Sequence, residues 1–157
     1  SGDNDPAIIE FLAHKEGKTI DEIMNILNKK SGVLGLSENL SSDFRDIEDG
    51  YHNGAENATR ALKTFCYHVA KYIGSYVAAL NGVDVICFTA GVGENAAIVR
   101  TLVCEYLGYL GIALDETANH KRGEDIAITT PDSKTTVMVI PTNEELAIAR
   151  ETVKLVK

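Results

Sequence analysis

Three short stretches hold the residues whose types and spacing could do chemistry. The first is Asp84–Arg100, DVICFTAGVGENAAIVR. Its apolar run Val85-Ile86-Cys87-Phe88 is too short for a helix and rich in β-branched and aromatic residues, so it predicts a buried strand. Ala90-Gly91-Val92-Gly93 ends that strand, and helix is predicted from Asn95 onward. A strand that turns into a helix through glycines leaves backbone N–H groups and a helix dipole facing outward, a setting that favours an anion such as phosphate. The alternative is a tight turn that uses glycine for its backbone angles alone.

Gly91-Val92-Gly93-Glu94-Asn95-Ala96 also matches G-x-G-x-x-A, with Asp115 about twenty residues on, the pattern of a dinucleotide-binding turn. Two features weigh against that reading. Glu94 beside the glycines would repel a pyrophosphate, and the pattern sits behind some eighty mostly helical residues, whereas the dinucleotide fold usually begins with it.

The second stretch is Ile140-Pro141-Thr142-Asn143-Glu144-Glu145-Leu146. Thr142 and Glu145 have capping-box spacing, which predicts that Glu145 turns back to the helix entrance. Glu144 is left without a structural task, at a helix start just past a strand end, where α/β folds place ligands. A carboxylate there suits Mg²⁺ beside a nucleotide phosphate, or it serves the helix dipole as a first-turn acid.

The third is Asp43-Phe44-Arg45-Asp46. A guanidinium and an aromatic ring on one turn can sandwich a heterocycle, with the carboxylates as acceptors. The alternative makes Ser42 the N-cap of a short helix with Phe44 packed inward. His14, His52, His68 and His120 form no spaced cluster, and no Ser/His/Asp or Cys/His arrangement is present.

The elements that position these stretches are mostly helical. Asp5-Pro6 starts a helix closed by Gly17, and Thr19 with Glu22 opens a second by a capping box. Ser31–Ser37 reads as a packed loop punctuated by glycine. The longest apolar periodicity runs from about Ala55 to Leu80 and predicts one long amphipathic helix, whose aromatic stripe serves core or subunit contacts. After the glycines comes a helix from about Asn95 to Leu110, then an extended exit over 111–115 and a charged loop at 120–123. Ile126–Ile128 and Thr135–Ile140 read as strands joined by a turn at Pro131-Asp132-Ser133. A last helix follows Asn143 and runs to about Val156. So many helices for so few strands make a poor independent sheet, which suggests missing partners.

Bulk properties narrow the function classes. The 157 residues amount to one domain in length, and 45% apolar with 24% charged residues is ordinary for a globular protein. A net charge of −8 with scattered basic residues argues against nucleic acid or an anionic membrane as the main partner. No segment approaches the ~18 apolar residues of a membrane span. Cys66, Cys87 and Cys104 are far apart and read as reduced core thiols of a cytoplasmic protein. The start, SGDNDP, lacks an initiator Met, so the chain is expected to be a piece of something longer.

Taken together, SDFRDIE, DVICFTAGVGENAAIVR and IPTNEELAIARET, in this order and at this separation, resemble the C-terminal blocks of the acetate kinase family. SGDNDPAI is similar to the segment after that family's mid-chain arginine. The similarity spans essentially the whole chain, and FTAGVGEN with PTNEE is its most specific part. The resemblance implies a helix-rich α/β fold, the C-terminal part of an actin-like, ribonuclease H-like ATPase lobe. Residues 1–157 would form a single nucleotide-binding lobe fragment of a two-lobed kinase. It implies phosphate transfer between ATP and acetate with Mg²⁺ by a cytoplasmic homodimer. Asp43, Phe44 and Arg45 match the run lining the adenosine pocket, Gly91, Val92, Gly93, Glu94 and Asn95 the glycine loop, and Glu144 the Mg²⁺-associated glutamate. These matches displace the dinucleotide reading. The family's acetate pocket, catalytic arginines, histidine and aspartate match positions upstream of Ser1, so no catalytic residue is expected here. The fragment alone is expected to be inactive. Propionate and butyrate kinases share these blocks, and a folded dimerisation module is the reading from a different class.

Overall fold

Asp5 and Pro6 begin the first helix as their chemistry demands. In the computed structural model, which describes residues 2–156, α1 spans Pro6–Glu16. The Asp5 carboxylate accepts from the Ala7 amide, and Gly17 closes the helix in the left-handed conformation. α2, Ile20–Lys29, carries the expected capping box: Thr19 Oγ1 accepts from Glu22 N, and Glu22 accepts from Thr19 N at 2.8 Å. The chain divides into two compact units, Ser1–His68 and Val69–Lys157.

In the first unit the glycine-punctuated stretch after α2 is a short helix, α3, Gly32–Leu36, where a loop was expected. The glycines tolerate the helix because its carbonyls find distant partners: Arg60 Nε donates to Leu36 O and Asn57 Nδ2 to Ser37 O, both at 2.9 Å. α4 is Phe44–His52, and α5, the 25-residue helix Glu56–Leu80, is the long periodic run; it begins in this unit, and its residues from Val69 on belong to the second. Ile47 of α4 and Ala58, Ala61 and Leu62 of α5 are fully buried, with Cys66 below them.

The second unit is built on a three-stranded sheet. β1 is Val85–Phe88, β2 Ile126–Ala127 and β3 Thr136–Val139, in the spatial order β1-β3-β2. β1 pairs parallel with β3, Phe88 opposite Val139, and β2 pairs antiparallel with β3. β1 therefore lies at an edge of this three-stranded sheet. It is also buried on one side only, Ile86 and Phe88 inward and Val85 and Cys87 outward, because a β-strand alternates faces. Cys87 is consequently exposed and is not a core thiol, whereas Cys66 and Cys104 are buried.

The single helix expected after the glycines is interrupted. α6, Ala90–Asn95, contains the glycines themselves, Ala96 breaks it, and α7 is Ala97–Glu105, followed by a 3₁₀ turn at Gly108–Leu110. α8, Glu116–Asn119, was not anticipated. Its N-cap is Asp115, whose carboxylate accepts from Ala118 N at 2.9 Å. That use leaves the dinucleotide pattern without its ribose-binding acid. α9 is Glu144–Val156. Because β1 and β3 are parallel and in register at their last residues, the chain leaves both strands at the same edge. There α6 and α9 begin, at the C-terminal end of parallel strands, where α/β folds assemble ligand sites.

Candidate nucleotide and metal site

At that edge the side chain and backbone of Thr142 meet the start of α6. Thr142 Oγ1 lies 3.0 Å from Thr89 Oγ1 and accepts from Ala90 N at 3.0 Å. The Thr142 amide donates to Glu94 Oε1 at 2.7 Å. The threonine is therefore not the helix cap its spacing suggested. Asn143 is: its Oδ1 accepts from Leu146 N at 3.1 Å and its carbonyl from Ala147 N at 3.2 Å. Asparagine caps at least as well as threonine, so with two candidates side by side, tertiary contacts to α6 decided which one turned inward. Glu144 and Glu145 consequently open α9 as its first two residues, exposed, and the capping box is not formed.

Glu94 changes meaning as well. Its carboxylate, instead of standing against an anion, is occupied by the Thr142 amide. That hydrogen bond, with help from the Thr142 hydroxyl and the Ala90 amide, holds it below the usual carboxylate range. The rest of the glycine segment is fastened from the other side. Arg100, buried, donates through Nη1 to Gly93 O at 2.7 Å and Glu94 O at 3.0 Å. Arg122 Nη2 donates to Asn95 O at 2.9 Å, and Asn95 Nδ2 turns back to Gly91 O at 2.9 Å. Two guanidiniums on the last carbonyls of a short helix complement the negative end of its dipole.

The backbone strain sits one residue before the glycines. Ala90 has φ +58°, whereas neither Gly91 nor Gly93 has a positive φ, so the alternative that glycine is used here for its backbone angles alone does not hold. Gly93 is required for another reason. A Cβ there would stand 3.3 Å from the Phe88 carbonyl carbon, while one at Gly91 would meet nothing within 4 Å. Gly93 lets α6 lie against the end of β1, and Gly91 leaves an open surface.

Arg100, Asn119 and Arg122 escaped the sequence reading. The signal was present for Arg100: α7 reads AIVRTLVCE, apolar on every side, and a helix of that kind is buried all round together with any charge it carries. Nothing local marks Asn119 as the partner of Arg100, or Arg122 as the partner of Asn95.

Asp43, Phe44 and Arg45 lie in the first unit. Asp43, not Ser42, is the N-cap of α4, accepting from Arg45 N at 2.9 Å. The Arg45 side chain folds back onto it, Nη2 to Oδ2 at 2.6 Å, yet stays 88% exposed. The guanidinium beside Asp43 lowers its carboxyl to about 2. The Phe44 ring is half-buried, edge-on to Phe65 with centroids 4.5 Å apart.

No group of three or more His, Cys, Asp or Glu side chains able to cage a metal occurs among the described residues. Glu144 stands as a single exposed carboxylate. That fits the way Mg²⁺ is held at nucleotide sites, by one or two carboxylates and the substrate's phosphate oxygens rather than a protein-only cage. No helix among the described residues is long and apolar enough to cross a membrane.

The acetokinase family model matches residues 1–150. The chain is 60% identical over 157 residues to an acetate kinase of Agathobacter rectalis and 59% over 156 to one of Lachnoclostridium phytofermentans, covering 99% of this chain in each case. It spans only 39% of the length of those relatives. Among solved structures, the acetate kinase of Porphyromonas gingivalis superposes with a TM-score of 0.88 at 47% identity, over 100% of this chain and 39% of that one. A propionate kinase from Francisella tularensis does so at 0.86 and 37%, over 96% of this chain and 38% of its own. The helix-rich α/β fold and the order of its blocks are thus those of a larger kinase, and the chain belongs to the acetokinase family.

Proposed function

We propose that this chain is the C-terminal nucleotide-binding part of an acetate kinase, which transfers phosphate reversibly between ATP and acetate to give acetyl phosphate and ADP. In that reaction an acetate oxygen bonds to the γ-phosphorus as the bond to the β–γ bridging oxygen breaks. The observation that carries the reading is the convergence at one sheet edge of the glycine segment and the start of α9 bearing Glu144. Family membership supports it.

In this reading Gly91, Val92, Gly93, Glu94 and Asn95 present a fixed backbone surface to the nucleotide. Gly91, with nothing within 4 Å of its missing Cβ, is the point of closest approach. Asp43, Phe44 and Arg45 serve the adenosine, Arg45 by offering the exposed face of its guanidinium for stacking. Glu144 would hold Mg²⁺, which when bound neutralises charge on the β- and γ-phosphates. The residues of this chain bind and orient. Phosphoryl transfer needs positioned charge on the acceptor side too, so the chain by itself is inactive. The enzyme works in the cytoplasm as a homodimer. The exposed side chains of Tyr72, Tyr76 and Leu80, spaced by four on α5, offer it a contact stripe.

The test is acetyl phosphate formation from ATP and acetate, trapped with hydroxylamine, by the full-length protein and by residues 1–157 side by side. Turnover by the full-length protein alone, abolished by chelating Mg²⁺, is expected. Full-length protein without turnover on any short carboxylate would overturn the reading. A strong preference for propionate would move it to the second reading, propionate kinase, a Francisella example of which shares this fold.

A further inference from the structure

Thr142 spends every polar group it has, apart from its carbonyl, on the segment 89–94. Its hydroxyl faces Thr89 Oγ1 and takes the Ala90 amide, and its own amide goes to the Glu94 carboxylate. These contacts cross 48 to 53 residues of sequence and all lie in exposed surroundings. Local helix chemistry does not account for them, because Asn143 already caps α9. Core packing does not either, because Thr142 is itself exposed. Exposed hydrogen bonds of this kind add little to global stability, since water replaces them readily. They do fix the distance between two backbones that leave the sheet from different strands.

We propose that Thr142 is a positioning residue, anchored by Glu94, that locks the start of α9 with its Glu144 carboxylate to the glycine segment so that the two behave as one rigid edge. The proposal rests on the kinase reading above. Mg²⁺ requires near-octahedral geometry, so a carboxylate two residues from Thr142 serves the metal only while its distance from the phosphate-bearing surface is held. Slack between the two leaves the nucleotide surface intact and degrades the metal geometry. The signature of the lock is a split: turnover and Mg²⁺ dependence suffer while metal-free nucleotide affinity and folding do not.

The experiment uses the full-length enzyme with Thr142→Val, Thr142→Ser, Glu94→Ala and the Val/Ala double variant, with ATP, acetate and MgCl₂ as probes. Thr142→Val and Glu94→Ala should each lower kcat by roughly 10- to 100-fold, the scale of an ångström-level misplacement, and raise the Mg²⁺ needed for half-maximal rate. ATP affinity measured in EDTA should change less than ~2-fold in Thr142→Val, and the double variant should turn over no more slowly than either single one, as expected for one coupled unit. Thr142→Ser keeps the hydroxyl and should restore wild-type behaviour. Without metal or nucleotide, amide hydrogen exchange at Ala90 should accelerate at least ~10-fold in Thr142→Val, and that at Thr142 likewise in Glu94→Ala. Unchanged exchange and an unchanged Mg²⁺ profile in an active enzyme would overturn the lock alone. A parallel fall in melting temperature, metal-free ATP affinity and rate would reduce Thr142 to a structural residue and overturn it too. A wild-type enzyme without Mg²⁺-dependent transfer would remove the kinase reading itself, and the lock with it.

Discussion

Arg100 is buried against Asn119: Nε donates to the amide oxygen at 2.8 Å, and Nη2 donates to the backbone carbonyl of the same residue. Asn119 in turn spends its Nδ2 on Ala97 O and Thr101 Oγ1. With its remaining nitrogen on Gly93 O and Glu94 O, this arginine ties α8 to the glycine segment through the body of the second unit. Asn119→Ala removes one acceptor from a buried cation and should destabilise the chain by about 1.5–3 kcal/mol, the range for hydrogen bonds to charged groups. Urea unfolding of residues 1–157 measures it, and a loss well under that range would mean that water replaces the amide.

Ala90, Gly91 and Gly93 should respond differently to single-methyl changes. Ala90→Gly relieves a left-handed residue and should stabilise by about 1 kcal/mol. Gly91→Ala enters open space in a helical segment and should be neutral to stabilising by ~0.4–1 kcal/mol. Gly93→Ala pushes against the Phe88 backbone and should cost about 1–3 kcal/mol. Thermal melts of the three variants check the order. If the nucleotide lies on Gly91, that variant alone should lose affinity without losing stability.

At the entrance to α9, Asn143→Ala should cost about 1 kcal/mol as the loss of a cap. Glu145→Ala should cost no more than ~0.3–1 kcal/mol, the contribution of one exposed charge in the first turn. Glu144→Ala should leave the melting temperature close to wild type and, in the full-length enzyme, raise the Mg²⁺ requirement. Comparison of melting temperatures with Mg²⁺-dependent rates separates the three.

The Asp43 carboxyl titrates low in the folded chain, about 2 against an ordinary 3.8, because the Arg45 side chain and amide favour its charged form. A carboxylate lowered on folding contributes stability above its unfolded value. That contribution is lost as pH falls from 3.8 through about 2. Glu94, lowered by the Thr142 amide, acts in the same direction. Carbon NMR titration should place the Asp43 midpoint near 2, and Arg45→Met should raise it; an ordinary midpoint in the wild-type chain would mean the Asp43–Arg45 contact does not persist in solution.

The three cysteines should differ in reactivity. Cys87, outward on an edge strand, should react with an aromatic disulfide reagent in the native chain. Cys104 is buried, with its thiol pushed up to about 12 by desolvation, and Cys66 is buried as well. Both should react only on unfolding. Three fast thiols in the native chain would contradict the burial pattern.

Local chemistry was legible in the residues wherever a structural signal closes within a few positions. Asp5-Pro6, the Thr19–Glu22 box, the α5 periodicity and the four-residue β1 strand were all readable, because a cap or an amphipathic face is satisfied by near neighbours. The family blocks were readable in the same way, through the residue types of FTAGVGEN and PTNEE. What only the tertiary structure decided was every choice between two locally equivalent partners. Thr142 and Asn143 are both sound caps, and Thr142 was drawn away by Ala90 and Glu94, which the parallel pairing of β1 with β3 brings beside it. Which face of β1 was covered, and so whether Cys87 was buried, depended on packing beyond the strand itself. Arg100 could be read as buried but not as bound to Asn119 and the Gly93 and Glu94 carbonyls. Contacts between residues far apart in sequence are set by register and packing, and local propensity carries no term for either.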